Sequence, residues 1–410
     1  MSAVDPSADP APEALEVRRT LRAMMIYPAP AKSDDFRGKL PHGEAFSVYE
    51  HIDGAGCRGQ WGRVAVAGYV CLDGTEVTDQ EPAVLPRLSG SRLVPFHYAK
   101  NRDNDNPAPV WRSRRAMKGG EDSIDALDPD HVYAFRWRKR ARGGGYFSTG
   151  QHRTVAAKDV KALKPSEFTG RDVTANAVPA DVVLAWTVRW PHTPLYQEPH
   201  PDAKPAGRLG YHEQFMVTDA PKRRKGVQFY PLADGTGWVA SKDARRWLRT
   251  ASVPDGVGVS ETWLDIELNQ QTLTVMRGTE PQFVTLVSSG TWKDPTPTGI
   301  FRIEGKMAVT DMRSRAGDDD SYHVEDVPWV MYFKGRYALH GVYWHGRFGQ
   351  RASHGCVNLS PRDARQVYEL TAPHTPPGWV MVFEHERDPG TMLRIRRGDK
   401  VPEDKRKPLG

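Results

Sequence analysis

The sequence predicts a mainly β, multidomain protein, and three observations carry that prediction. Turn-forming residues are dense, with 37 Gly and 33 Pro in 410 residues beside 10% aromatics, a mixture that favours short strands and frequent turns. Apolar residues alternate over many short stretches and seldom recur at helical spacing. One eleven-residue pattern also occurs twice at long range. The length exceeds what one core usually serves, so two to four domains are expected.

Taken in order, residues 1–20 read as a flexible segment. The repeat follows: "GKLPHGEAFSV" (Gly38–Val48) and "GRLGYHEQFMV" (Gly207–Val217) share the pattern G-basic-L-x-x-x-E-x-F-x-V. Each copy is preceded by a Pro-rich stretch with an aromatic. Each is followed by Gly-aromatic-Val, in "AGYVC" (Ala67–Cys71) and "TGWVA" (Thr236–Ala240). So long a period means duplication of a module, and alternating apolar residues with Gly-rich turns predict two small antiparallel barrels at 21–85 and 185–250. They resemble the bacterial SH3-like modules attached to cell-wall enzymes. Residues 86–184 hold loop-like runs such as "NRDNDNPAP", and their fold stays open. Residues 258–386 predict a sheet domain with strands at "TWLDIE", "QTLTVM", "QFVTLV", "GIFRI", "PWVMYF", "RYALHGV" and "GWVMVF". One short helix is expected after Ser360, which serves as N-cap with Pro361 in the first turn. Residues 387–410 read as a tail.

The net charge of +6 points only weakly to an acidic partner. "RWRKRAR" (Arg136–Arg142) and "KRRK" (Lys222–Lys225) come with no nucleic-acid recognition fold, so solvated strand ends are expected and no nucleic-acid partner. No apolar run has the roughly 20 residues of a membrane span. The first residues contain no apolar export-signal core.

Chemistry concentrates in "LHGVYWHGRFGQRASHGCVNLS" (Leu339–Ser360), which holds His340, His345, His354 and Cys356. Ordinary turn residues would not explain a thiol flanked by Gly, with one His two positions earlier and another sixteen upstream. Zinc would need ligand spacings that H-x4-H followed by H-x-C does not match, so no metal is expected. A cysteine nucleophile fits better. It needs an imidazole to take its proton and backbone N–H groups to hold an oxyanion, and Gly355 lets the chain turn tightly enough to supply them.

At these residues the sequence resembles the YkuD-type L,D-transpeptidases. "HG" at His340–Gly341 and "SHGCVN" at Ser353–Asn358 match the family signature, supported by "VSSG" (Val287–Gly290) and "PTPTGIFRI" (Pro295–Ile303). The resemblance covers Val259–Glu384. It implies a β-sandwich catalytic domain with Cys356 as nucleophile, His340 as base and the Gly341 carbonyl orienting the imidazole. It further implies that His354 shapes the site, with the N–H groups of His354, Gly355 and Cys356 as the oxyanion hole. Ser353 and Asn358 would brace the loop and meet substrate, joined by Arg351, Trp344 and Tyr332. Arg336 and Arg347 are further candidates for the carboxylates of a peptide, although surface solvation is expected for at least two of Arg336, Arg347 and Arg351. Trp344, Tyr343 and Phe348 of the spacer either wall the groove or pack in the core.

The implied reaction needs no cofactor. It releases D-Ala from a peptidoglycan tetrapeptide stem and joins the resulting thioester to an acceptor stem as a 3→3 cross-link. Water as acceptor would make the enzyme a carboxypeptidase or endopeptidase, and a protein lysine would make it a protein-anchoring enzyme. A non-catalytic wall-binding scaffold is a reading of another class. The family implies an extracytoplasmic location, in the periplasm or cell envelope, with the export signal already removed from this sequence. In such an oxidising compartment Cys57 and Cys71 are expected to pair. Finally, the polar stretch "EGKMAVTDMRSRAGDDDSYHVEDV" (Glu304–Val327) is too long for a hairpin turn and is expected to form a lid over Cys356.

Overall fold

"TWLDIELNQQTLTVM" folds as its alternation requires. In the computed structural model, which describes residues 13–140, 144–150, 153–250, 252–314 and 322–398, Thr262–Glu267 and Thr272–Arg277 pair antiparallel around a turn where Gln271 takes φ +54°. They lie in a six-stranded sheet that runs Arg171–Asp172, Glu280–Leu286, Thr272–Arg277, Thr262–Glu267, Met392–Arg396, Gly299–Arg302. The facing sheet has ten strands. Its main path is Val160–Ala162, His97–Asn101, His131–Phe135, His323–Lys334, Gly305–Arg313, Met381–Phe383, Gly38–Leu40, Met24–Ile26. Tyr337–Gly341 branches from His323–Lys334, and Val357–Leu359 pairs with that branch.

Leu264, Ile266, Leu273 and Val275 of the first sheet pack on Trp329, Met331, Phe333, Leu339 and Leu359 of the second. The helix Pro361–Leu370 closes this core with Ala364, Val367 and Tyr368. Its N-terminus is capped as the sequence predicts, Ser360 Oγ accepting from Asp363 N at 3.2 Å.

The duplication appears as one pairing scheme used twice. Glu16–Thr20 lies between Ala45–Val48 and Thr75–Val77, just as Val183–Thr187 lies between Gln214–Val217 and Ala244–Arg246. The remaining strands correspond too: Met24–Ile26 pairs with Gly38–Leu40, and His192–Tyr196 with Pro205–Gly210. Trp61–Ala65 pairs with Gly68–Cys71, and Val227–Pro231 with Trp238–Ala240.

Three segments differ from the expectations. Glu16–Thr20 is a strand, whereas residues 1–20 read as flexible. Met392–Arg396, expected in a tail, is buried throughout and pairs parallel with Thr262–Glu267. Arg394 and Arg396 misled the reading, because both are buried against Asp265. The third is the polar stretch before "PWVMYF". Its described residues form two long paired strands, Gly305–Arg313 and His323–Lys334, where a loop was expected; residues 315–321, the middle of the expected lid, lie outside the described residues. The open region 86–184 also gains a place, since His131–Phe135 pairs parallel with His323–Lys334 and so extends the large sheet.

Cys57 and Cys71 are disulfide-bonded, with Cα atoms 5.6 Å apart. Cys356 is the free cysteine. Among the described residues no helix is long and apolar enough to cross a membrane.

Candidate active site

Register alone gathers the principal groups. Tyr337–Gly341 and Val357–Leu359 pair parallel with His340 opposite Asn358. Side chains two apart on a strand share a face, so Asn358, His340 and Cys356, which directly precedes Val357, project to one side. There they line a groove of about 790 Å3 with Ser353, His354, Trp344, His345, Tyr332, Tyr337, Arg336 and Arg347. The groove continues over the hairpin through Met312 and Tyr322 and reaches Lys100, Asp130 and Val132 of the intermediate region.

The Cys loop is held from both ends. Ser353 Oγ donates to Cys356 O at 2.5 Å and accepts from Gly355 N at 3.2 Å. Thr296 Oγ1 donates to Gly355 O and accepts from Gly290 N, both at 2.8 Å. Gly355 has φ +110°, and a Cβ there would lie 2.5 Å from Tyr337 Cε1. No side chain fits this turn.

Burial sets the electrostatics. It pushes the Cys356 thiol up, partly offset by a hydrogen bond from the Ala338 N–H and by the Arg336 cation. The thiol makes a long contact, 3.8 Å, to Arg336 O. His340 is 3% exposed, and burial lowers it to about 4, partly offset by the Gly341 carbonyl. Its Nδ1 lies 3.3 Å from Gly341 O. A carbonyl only accepts, so Nδ1 carries the proton and Nε2 keeps a free lone pair. The resting pair is therefore a neutral thiol and a neutral imidazole.

His345 differs, because both of its ring nitrogens are engaged. Nδ1 accepts from Arg347 N at 3.2 Å, and Nε2 lies 3.0 Å from the Asn358 carboxamide. Burial, reinforced by the Arg347 cation, lowers it to about 4. His354 is exposed at the groove and stacks on Tyr322, ring centres 5.1 Å apart. Trp344 stacks on His340 at 5.9 Å. The four motif residues do not form a metal-ligand cluster; among the described residues such a grouping occurs at Cys57, Cys71 and Asp73, where the bridge occupies both sulfurs.

Two expectations need correction. Arg351 does not line the groove: its guanidinium donates to Leu268 O at 3.0 Å and Gly290 O at 3.2 Å, and stacks on Trp292. The Gly355 N–H, expected in an oxyanion hole, is taken by Ser353 Oγ. Tyr343 and Phe348 are core residues, 1% and 0% exposed. Sequence reasoning missed Thr296 and Tyr337. "PTPTG" was read as a family match, and its Thr as nothing more.

It also missed how the spacer between His340 and Cys356 is held. Tyr211 Oη donates to Gly346 O at 2.8 Å, and His212 Nε2 donates to Phe348 O at 3.0 Å. Arg245 Nε donates to Gly349 O at 2.7 Å, and Gln350 Nε2 to Val188 O at 2.8 Å. The second small β module thus grips the loop that carries Trp344 and His345. Tyr211 and His212 belong to the repeated pattern, where they fill its variable positions.

Fold and site together define a mainly β protein whose sandwich domain brings the Cys356 thiol and the neutral His340 imidazole to a shared groove. Residues 261–395 match the family model described as the YkuD L,D-transpeptidase catalytic domain. That segment is a YkuD-type L,D-transpeptidase catalytic domain. A putative L,D-transpeptidase, YciB of Bacillus subtilis (strain 168), is 28% identical over 127 residues, covering 28% of this chain and 62% of its own length. The chain thus spans about three fifths of that relative. The catalytic domain of an E. faecium L,D-transpeptidase is similar at 19% identity over 33% of this chain and 98% of its own, TM-score 0.27. An L,D-transpeptidase from Mycobacterium smegmatis is similar at 19% identity over 58% of this chain and 89% of its own, TM-score 0.28.

Proposed function

We propose that this chain is a peptidoglycan L,D-transpeptidase that forms 3→3 cross-links by cysteine acyl transfer. The observation that carries the reading is the juxtaposition of Cys356 and His340 on one face of paired strands, the imidazole neutral with Nε2 free. In the first step Nε2 takes the thiol proton while sulfur attacks the carbonyl before the terminal D-Ala of a tetrapeptide stem. The oxyanion is held by the N–H groups of His354 and Cys356. The C–N bond then breaks, the imidazolium returns the proton to the leaving amine, and D-Ala departs from a thioester. An amine of a second stem attacks the thioester, giving its proton to His340, and the thiol is restored.

The half-buried thiol suits this sequence, since a groove that limits water favours an amine acceptor over hydrolysis. Carboxylates of the stems have Arg336 and Arg347 at the groove wall as partners. We read the two small β modules as SH3-like and the protein as extracytoplasmic; the Cys57–Cys71 bridge supports that location, because disulfides persist in oxidising compartments.

Incubating the protein with tetrapeptide muropeptides and analysing products by mass spectrometry tests the reading. Dimers lacking one D-Ala are expected from the wild type and none from Cys356→Ala. Tripeptide alone would make the enzyme a hydrolase, and full activity of the alanine variant would remove Cys356 from the chemistry.

A further inference from the structure

Asn358 is 2% exposed, lines the groove on the Cys356 face, and has one carboxamide atom beside His345 Nε2; the other atom is buried without a partner. The proton count on His345 decides which atom is which. Nδ1 accepts the Arg347 backbone N–H at 3.2 Å, so a proton there would set two donors against each other. A neutral imidazole bears one N–H, which therefore sits on Nε2. Facing that donor at 3.0 Å, the carboxamide must present oxygen, and its NH2 takes the unpartnered position. A buried donor without an acceptor is costly until a ligand supplies one. Burial keeps His345 neutral through the working range, so the arrangement does not switch near neutral pH.

We propose that His345 is a positioning residue. It donates from Nε2–H to Asn358 Oδ1, and thereby turns the Asn358 NH2 toward the groove as the donor for a carbonyl or carboxylate oxygen of a bound peptide. His345 acts through Asn358 and not by its own contact with substrate. The inference rests on the groove binding a peptide, as the proposed function requires.

Its test has two arms on the full chain. Long-range 1H–15N spectra of 15N-histidine protein at pH 7, with His345 assigned by its loss in a variant, should show the Nε2–H tautomer. The Nδ1–H tautomer would overturn the proposal whether or not the protein acts on peptidoglycan. The second arm compares His345→Gln, whose amide nitrogen reaches the Nε2 position, with His345→Asn, whose amide reaches only Nδ1. Cys356 acylation by a tetrapeptide, followed by intact mass, should keep kcat/KM within about threefold in the glutamine variant. It should lose about tenfold or more in the asparagine variant, the scale of one buried hydrogen bond. Alkylation of Cys356 by iodoacetamide should be equal in both. Equal acylation by the two variants would sink the positioning role. A wild type that is not acylated would instead refute the peptide reading, leaving the tautomer to decide the inference.

Discussion

Gly355 bears the tightest backbone constraint beside the thiol, with φ +110° and Tyr337 Cε1 2.5 Å from where a Cβ would stand. Gly355→Ala should leave the fold intact, because the loop lies outside the main core, yet displace the N–H donors on either side. Loss of an oxyanion donor costs about 10²–10³ in rate, and acylation of Cys356 should fall by roughly that factor. A drop below tenfold would mean the loop tolerates the side chain. The protonation states give a second prediction. His340 lies at about 4 in the folded protein, so the base stays unprotonated down to about that pH. The acid limb of the kcat/KM profile should therefore lack an inflection near 6.5, the ordinary histidine value; a clear inflection there would contradict the buried neutral base. Cys356 and His340 were legible in the sequence because both flank one loop in a recognisable order. Arg351 was not, since its partners Leu268 and Gly290 are fixed only by tertiary folding.

Elements were legible where alternation matched burial and illegible where charge was buried. Met392–Arg396 reads as polar tail until Asp265 is seen to neutralise both arginines. Lys306 shows the same blindness. It sits in the strand Gly305–Arg313, is 1% exposed, and donates to Tyr368 O at 2.5 Å and Thr371 O at 2.6 Å. The helix Pro361–Leu370 has no basic residue in its own last turn, so this lysine caps it from outside. Lys306→Met would strand those two carbonyls and should cost about 2–6 kcal/mol in denaturant unfolding at pH 7, at about 1–3 kcal/mol per unmet buried group. Burial lowers the Lys306 ammonium to about 7 from its ordinary value of 10.5. Between these values the unfolded chain holds the extra proton, so this group makes stability rise with pH across that window. The methionine variant should lose that slope; an unchanged slope would assign it elsewhere.

At the scale of the molecule, segments that read as separate modules share structure. The first module's core of Met24, Ile26, Phe46 and Val70 is completed by Trp379 and Val382 from the C-terminal domain. Leu184, Trp186 and Trp247 of the second module pack with Val284, Leu286, Val342 and Phe348. Sequence reading separated these pieces because patterning reports each strand's own face and says nothing of which distant face covers it. The second module does more than pack, for Tyr211, His212 and Arg245 hold three carbonyls of the spacer that bears Trp344 and His345. Tyr211→Phe and Arg245→Met together remove two of those hydrogen bonds while keeping most of the apolar contact. Surface-proximal hydrogen bonds contribute about 1 kcal/mol each, so the melting temperature should fall by only a few degrees in a chain of this size. Acylation of Cys356 by a tetrapeptide should fall further than stability does, about tenfold, because a small displacement of groove groups is amplified in rate. Alkylation of the same thiol by iodoacetamide, which needs no groove wall, should stay near wild type. If both reactions slow equally, or neither slows, the second module packs against the loop without orienting it.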